Sequence, residues 1–368
     1  MSKRRLRHFS FILITLIIIS NGAIYNGAIA DDSITSDQTK LVLIKTIFGD
    51  IQPKSVLASP TGLVSAHNMM YKHSVTFYDS NTFELKATVP DRVDLTAFGF
   101  SGYTGTHQGA PVEGAYSPDG KYLYVTNYAM YGKGFNHEGH DVCTPNSGYD
   151  SSFLYRISLD TFKIDAVYKV GTVPKVVKVT PDNKYILVSH WCSYDLQVIS
   201  VASQKVVKKI MIGPYPRGIT VSNDSAFAYV AQMGGTVIHQ IDLKTFADKT
   251  LPIGSNPRAL VFSPDQKTIY ATLNASGKVV AFDLAQNKVI KTVKTGQAAR
   301  SLDISTDGTA LFVVNFNSGT VSKIRTSDFK ILQTLKVCAD PIGVTYEPIN
   351  NRTWIACYKG SIKVFDNK

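Results

Sequence analysis

The chain has 368 residues, 44% of them hydrophobic and 18% charged, with 39 Lys and Arg against 28 Asp and Glu for a formal charge of +11. Four of those cations and none of the acids lie in the first 30 residues, which leaves 35 against 28, or +7, for the remainder. An excess of that size favours acidic partners modestly and does not demand a nucleic-acid reading. The four cysteines form no Cys-x-x-Cys-His, which excludes covalent c-type haem on this chain, and neither a Gly-x-Ser-x-Gly elbow nor a Walker loop occurs.

In chain order, residues 1–30 read as a cleavable export signal: Lys3, Arg4, Arg5 and Arg7, an apolar run over 9–19, then Ala28-Ile29-Ala30 before Asp31. The apolar run is short for a membrane span, so the mature chain is expected to be soluble and extracytoplasmic, periplasmic or otherwise. A short linker is expected over 31–40 and a β-strand over 41–47. From residue 53 one unit recurs seven times, each opened by Pro53-Lys54, Pro111, Pro174-Lys175, Pro216-Arg217, Pro257-Arg258, Ala299-Arg300 or Pro341. From Pro174 onward the spacings are 42, 41, 42 and 42 residues; the first two, 58 and 63, carry insertions placed at 91–107 and 129–151.

Each unit reads as four short strands. The first ends in a turn of the Ser117-Pro118-Asp119-Gly120 type, in which Pro presets φ, Asp accepts from nearby backbone and Gly tolerates φ > 0. The second is β-branched and aromatic, as in Tyr124-Val125-Thr126-Asn127. Four antiparallel strands per unit at this period predict an all-β, seven-bladed β-propeller over 41–368, its ring closed by the 41–47 strand completing the last blade.

The tetrad Tyr124-Val125-Thr126-Asn127, with degenerate copies at Tyr229-Val230-Ala231-Gln232 and Phe312-Val313-Val314-Asn315, resembles the YVTN-repeat seven-bladed propellers of exported microbial proteins. The likeness covers residues 41–366 and implies architecture more than function, because one fold hosts unrelated chemistries.

If the first strand of each unit lines the channel, the two insertions rise side by side from one rim, where loops of such length are usually functional. On that rim Lys54, Lys175, Arg217, Arg258 and Arg300 share one repeat position, with Val112 and Ile342 at the other two and Glu113 as a counter-charge. Converging cations attract a carboxylate, phosphate or acidic protein loop, although a cation inherited by duplication needs no ligand. Tyr128, Tyr131 and Trp191 give the rim the makings of a protein-binding surface. His137, His140 and His190 are expected in rim loops, and His137-Glu138-Gly139-His140 is a weak metal-ligand pattern. Cys143 is expected to pair with Cys192; Cys338 and Cys357 either pair or remain buried thiols.

Three functions compete. The first is an exported, non-catalytic protein-binding or scaffold module. It resembles the haem-free propeller subunits of periplasmic redox complexes such as hydrazine synthase, and the resemblance implies haem or quinone only on partner subunits. The second is a free-standing binder of nucleic acid or another polyanion. The third is a lactonase- or lyase-like enzyme using His190, His137, His140 and Glu113.

Overall fold

A computed structural model describes residues 34–368; the proposed export signal lies outside the described residues. The second strand of each unit is buried on both faces along most of its length, as in Tyr185–His190 and Ala310–Asn315. Continuous Val, Ile, Leu and Phe runs suit a strand covered by sheets on either side. The fourth strands are the opposite: Val206–Met211 exposes all but one residue, and its Lys208 and Lys209 discourage edge pairing with another chain.

The strands form seven separate antiparallel sheets. Each runs from an inner strand, such as Pro216–Val221, outward through Phe227–Gln232 and Val237–Asp242 to Asp248–Pro252. Inner strands touch their neighbours around a complete circuit, so the sheets are blades of a closed seven-bladed propeller. Leu41–Ile47 pairs with Ser361–Asn367 from Leu41↔Asn367 to Ile47↔Ile362 and supplies the last blade's outermost strand, as expected. Residues 36–40 reinforce this closure: Ser36 N donates to Asp307 Oδ2 at 2.7 Å and Lys323 Nζ to Thr39 O at 2.9 Å.

The core lies between blades. Trp354 and Ile362 of the last blade pack with Val56, Val64 and Tyr78 of the first, while Tyr229 and Ile238 of the fourth pack with Phe262, Ile269 and Ala271 of the fifth. Burying each such large side chain contributes roughly 1.5–3 kcal/mol, so every blade depends on the next.

Blade 2 departs from the four-strand expectation. Its first two strands, Thr106–Tyr116 and Tyr122–Tyr131, continue past the ring, and Arg92–Asp94 adds a fifth strand through Arg92↔Gln108 and Asp94↔Thr106. A 3-10 turn follows at Leu95–Phe98, its start capped by Asp94, which accepts from Thr96 N at 2.9 Å. The insertion at 91–107 is therefore partly regular structure, because Val93 and Leu95 find an apolar floor in Met130, Phe153 and Tyr155.

Candidate functional site

Both insertions rise beside each other on the rim where the inner strands begin: Tyr103 stacks on Phe135 at 4.9 Å and His107 meets Phe135 edge-on at 5.5 Å. Phe98, Phe100, Tyr103 and Phe135 of the insertions pack against blade 2 and serve as its extra core, while Tyr128 and Trp191 pack around the Cys143–Cys192 tether. Cys143–Cys192 ties the second insertion to blade 3, and Cys338–Cys357 joins the start and the second strand of blade 7.

A repeated backbone device sets the cation ring. The residues immediately before the inner strands of blades 3–7, Val173, Tyr215, Asn256, Ala298 and Asp340, all have φ between 52° and 60°. This left-handed conformation is costly for non-glycine residues. Each is held there by its carbonyl, which accepts from the residue following the second strand: Trp191, Met233, Asn274, Phe316 and Tyr358. The bend turns the chain into the channel, and two residues later comes the cation in blades 3–6 and Ile342 in blade 7.

The structure brings the predicted cations together. Lys175, Arg217 and Arg258 are 4%, 5% and 7% exposed, and Val112 and Ile342 fill the two apolar positions. Their pairing is unequal. Lys175 Nζ donates to Asp141 Oδ1 at 2.8 Å and lies 4.3 Å from the Tyr128 ring and 5.1 Å from that of Trp191. Arg217 has only Glu113, at 3.9 Å, the counter-charge expected from the sequence. Lys54 sits 5.3 Å from the Tyr358 ring, and the Arg300 guanidinium 3.5 Å from that of Phe316. Burial, then Arg217, Arg258, Lys175 and Arg300, pull Lys54 well below the usual lysine range. Burial also pulls Lys175 down to about 7 despite Asp141. For Asp141 burial pushes upward, but Lys175, Lys54 and Arg217 prevail and hold it at about 2.

Asp141, Phe316 and Tyr358 escaped sequence reasoning. Phe316 and Tyr358 were legible, since the position after each YVTN-type tetrad recurs as Met69, Tyr128, Trp191, Met233, Asn274, Phe316 and Tyr358. Asp141 was not, because nothing in the 129–151 insertion says which of its acids folds inward.

The histidines are not brought together. His190 ends a strand, fully buried, with Nδ1 2.5 Å from Asp195 Oδ1, which corrects its placement in a rim loop. His67 is likewise buried in a strand. The Ser55 hydroxyl spends its proton on Val112 O at 2.8 Å, so His67 Nδ1 donates to Ser55 Oγ at 2.7 Å and the ring is neutral. Burial lowers its pKa to about 3. His137 and His140 remain on the exposed insertion, where Asp150 accepts from His137 N at 2.7 Å and His140 Nδ1 accepts from Val142 N at 3.1 Å. No cluster of three or more potential metal ligands occurs among the described residues. Tyr131 Oη donates to Glu138 at 2.6 Å.

Two cavities meet the ring. One of about 390 Å³ is lined by Lys54, Tyr71, Tyr128, Tyr131, Lys175 and Tyr358, and one of about 120 Å³ by Glu113, Lys178, Arg217, Arg258, Arg300 and Ile342. A larger groove of about 670 Å³ runs beside Phe48, Phe83 and Leu85 between blades 7 and 1, away from the converging charges.

Residues 142–227 match the YNCE-like beta-propeller family, and residues 257–352 match the Cytochrome D1 heme domain family. Antigen Lp49 of Leptospira interrogans serogroup Icterohaemorrhagiae serovar copenhageni is 27% identical over 152 residues, 39% of this chain. The matched stretch spans about a third (33%) of that curated relative's length. Among solved structures, Kuenenia stuttgartiensis Hydrazine Synthase is similar with a TM-score of 0.66 at 19% identity, over 86% of this chain and 96% of that one. These likenesses agree with the β-propeller fold of the chain.

Proposed function

We propose, from the premise that the chain is a seven-bladed β-propeller with a YNCE-like segment, that it is an exported, non-catalytic scaffold that docks a partner protein on its insertion-bearing rim. One observation carries this reading. Tyr71, 80% exposed, lines the larger mouth cavity, and Val142, 75% exposed, follows Asp141 of the same lining and is adjacent to the Cys143–Cys192 tether. A large ring and an aliphatic side chain held in water by a rigid frame cost solvation unless a partner covers them, and rigid aromatic anchors dominate interface energetics.

Two native-like disulfides favour an oxidising compartment, and among the described residues no helix is long and apolar enough to cross a membrane. The likeness to hydrazine synthase and the Cytochrome D1 heme domain match support a place in an extracytoplasmic redox assembly, with any haem on the partner. The polyanion reading is weaker because the cations sit inside a narrow channel and do not line an open groove.

The test is mild isolation of the protein from its source, with mass spectrometry and a visible spectrum of the same fraction. Stoichiometric partner chains with a haem band, shed on Tyr71→Ala with Val142→Asp, are the expected result. A colourless monomer that crosslinks to nothing would sink the proposal.

A further inference from the structure

We infer that the inner end of the cation ring, Arg217, Arg258 and Arg300 with Lys54 at its edge, binds the oxoanion group of a small free ligand, a carboxylate or a phosphate. The four cations differ from Lys175, which shows what a satisfied member of the ring looks like: a direct carboxylate and two aromatic rings. Arg258 donates no hydrogen bond to any described residue although it is more than nine-tenths buried. Arg217 reaches its acid only at 3.9 Å, beyond hydrogen-bond range. Arg300 Nε is buried without a partner, its guanidinium plane resting on Phe316.

A guanidinium carries five N–H donors and always stays charged, so holding three beside one another, Arg217 and Arg258 buried and Arg300 half-buried, with one distant carboxylate among them is costly. Around the ring and its two cavities Lys54, Lys175, Lys178, Arg217, Arg258 and Arg300 face Glu113, Glu138 and Asp141; Asp141 is already committed to Lys175, and Glu138 accepts from Tyr131. The three arginines line a space of about 120 Å³. That accommodates a carboxylate or phosphate group, which planar Arg forks recognise with paired hydrogen bonds, and it is too small for a nucleic-acid strand. Lys54, near enough to Arg217, Arg258 and Arg300 to feel their charge, lines the 390 Å³ pocket walled by Tyr71, Tyr128 and Tyr358, where the body of an organic anion has room. An oxoanion brings the acceptors and the negative charge that the chain itself withholds.

The oxoanion contacts on Arg217, Arg258 and Arg300 need no docked partner, so the test uses only the purified chain. Phosphate, sulfate and citrate are titrated by calorimetry at an ionic strength held constant with chloride, and melting temperature is followed in parallel. Saturable binding of one ion per chain is expected, weakened at least tenfold in Arg258→Gln and in Arg300→Gln. Lys208→Gln with Lys209→Gln, on the exposed outer strand of blade 3, should bind as the parent does. The structural alternative makes the opposite prediction: the arginines serve packing alone, their loss lowers the melting temperature, and the parent shows no saturable binding. Absence of saturable binding to the parent protein, or equal weakening in the outer-strand control, overturns the proposal. The parent titration decides even where an arginine variant does not fold.

Discussion

The two ends of the inner strands treat their repeated charges in opposite ways. At the far end, Asp119, Asp182, Asp224, Asp265 and Asp307 each accept from the Ser or Thr two residues earlier, at 2.5–2.6 Å. The same hydroxyls accept from the amide five residues on, as Ser263 Oγ does from Thr268 N at 3.0 Å. The Ser hydroxyl and the turn amide hold Asp119, Asp224 and Asp265 below the usual carboxylate range. At the rim end the cations must look across blades for partners, and only Lys175 makes a close ion pair. A repeated acid satisfied within five residues is architecture. A repeated cation that its own hairpin cannot satisfy is a candidate site.

The largest way to break this contrast is to cut the long-range tie on the rim. Replacing Cys143 and Cys192 by Ser removes a bridge across 49 residues, worth up to ~4 kcal/mol by loop entropy. Hydrogen exchange should show the loss concentrated in 132–151 and the Lys175–Asp141 pair, with the far turns unchanged; uniform loss of protection would contradict the division into two ends. Next is Gly114→Ala, on the inner strand just past Glu113, where a Cβ would lie 2.4 Å from His67 Nε2. Urea unfolding should report a loss of about 3 kcal/mol, because neither the buried imidazole nor the strand has room to yield.

Third is Asp91, buried at the foot of the first insertion and accepting from Gly109 N at 2.9 Å. Burial pushes its carboxyl up to about 7, against the opposing pull of the Gly109 amide and the nearby Tyr155 hydroxyl. The folded state therefore binds the proton more tightly than the unfolded chain, in which the group titrates near 4. Its contribution to stability is complete below pH ~4 and is lost as pH rises toward 7. Asp91→Asn should flatten that slope and raise stability at pH 8 by about 2 kcal/mol; an unchanged pH profile would refute the assignment. The smallest effect is Ser263→Ala in one far turn, about 1 kcal/mol in thermal unfolding, with equal and additive losses for the matching Ser305→Ala. Strong coupling between those two turns would mean that they are not the independent local devices described above.

Much of the fold is readable from residues. The 41- and 42-residue spacings locate blades 3–6 in full, and the strand over 41–47 declares the ring closure because it repeats the fourth-strand pattern. The Cys143–Cys192 pair follows from where the insertion and the blade 3 strand place those cysteines, whereas Cys338 and Cys357, open in the sequence between pairing and free thiols, are joined in the structure. The fifth strand at Arg92–Asp94 was not legible, since three residues carry no periodicity and pair only because the blade 2 hairpin overshoots the ring. His190 looked like a rim residue because it ends its strand, yet the neighbouring blade and Asp195 cover it completely.

The sequence by itself determined the seven blades, the closure and the convergence of five cations on one rim, because repetition carries local hydrogen bonding and side-chain alternation from unit to unit. Only the tertiary structure decided which cations are paired. Pairing across a channel depends on distances between chain segments far apart in sequence, and on a single insertion folding Asp141 toward Lys175 and leaving Arg258 without a partner.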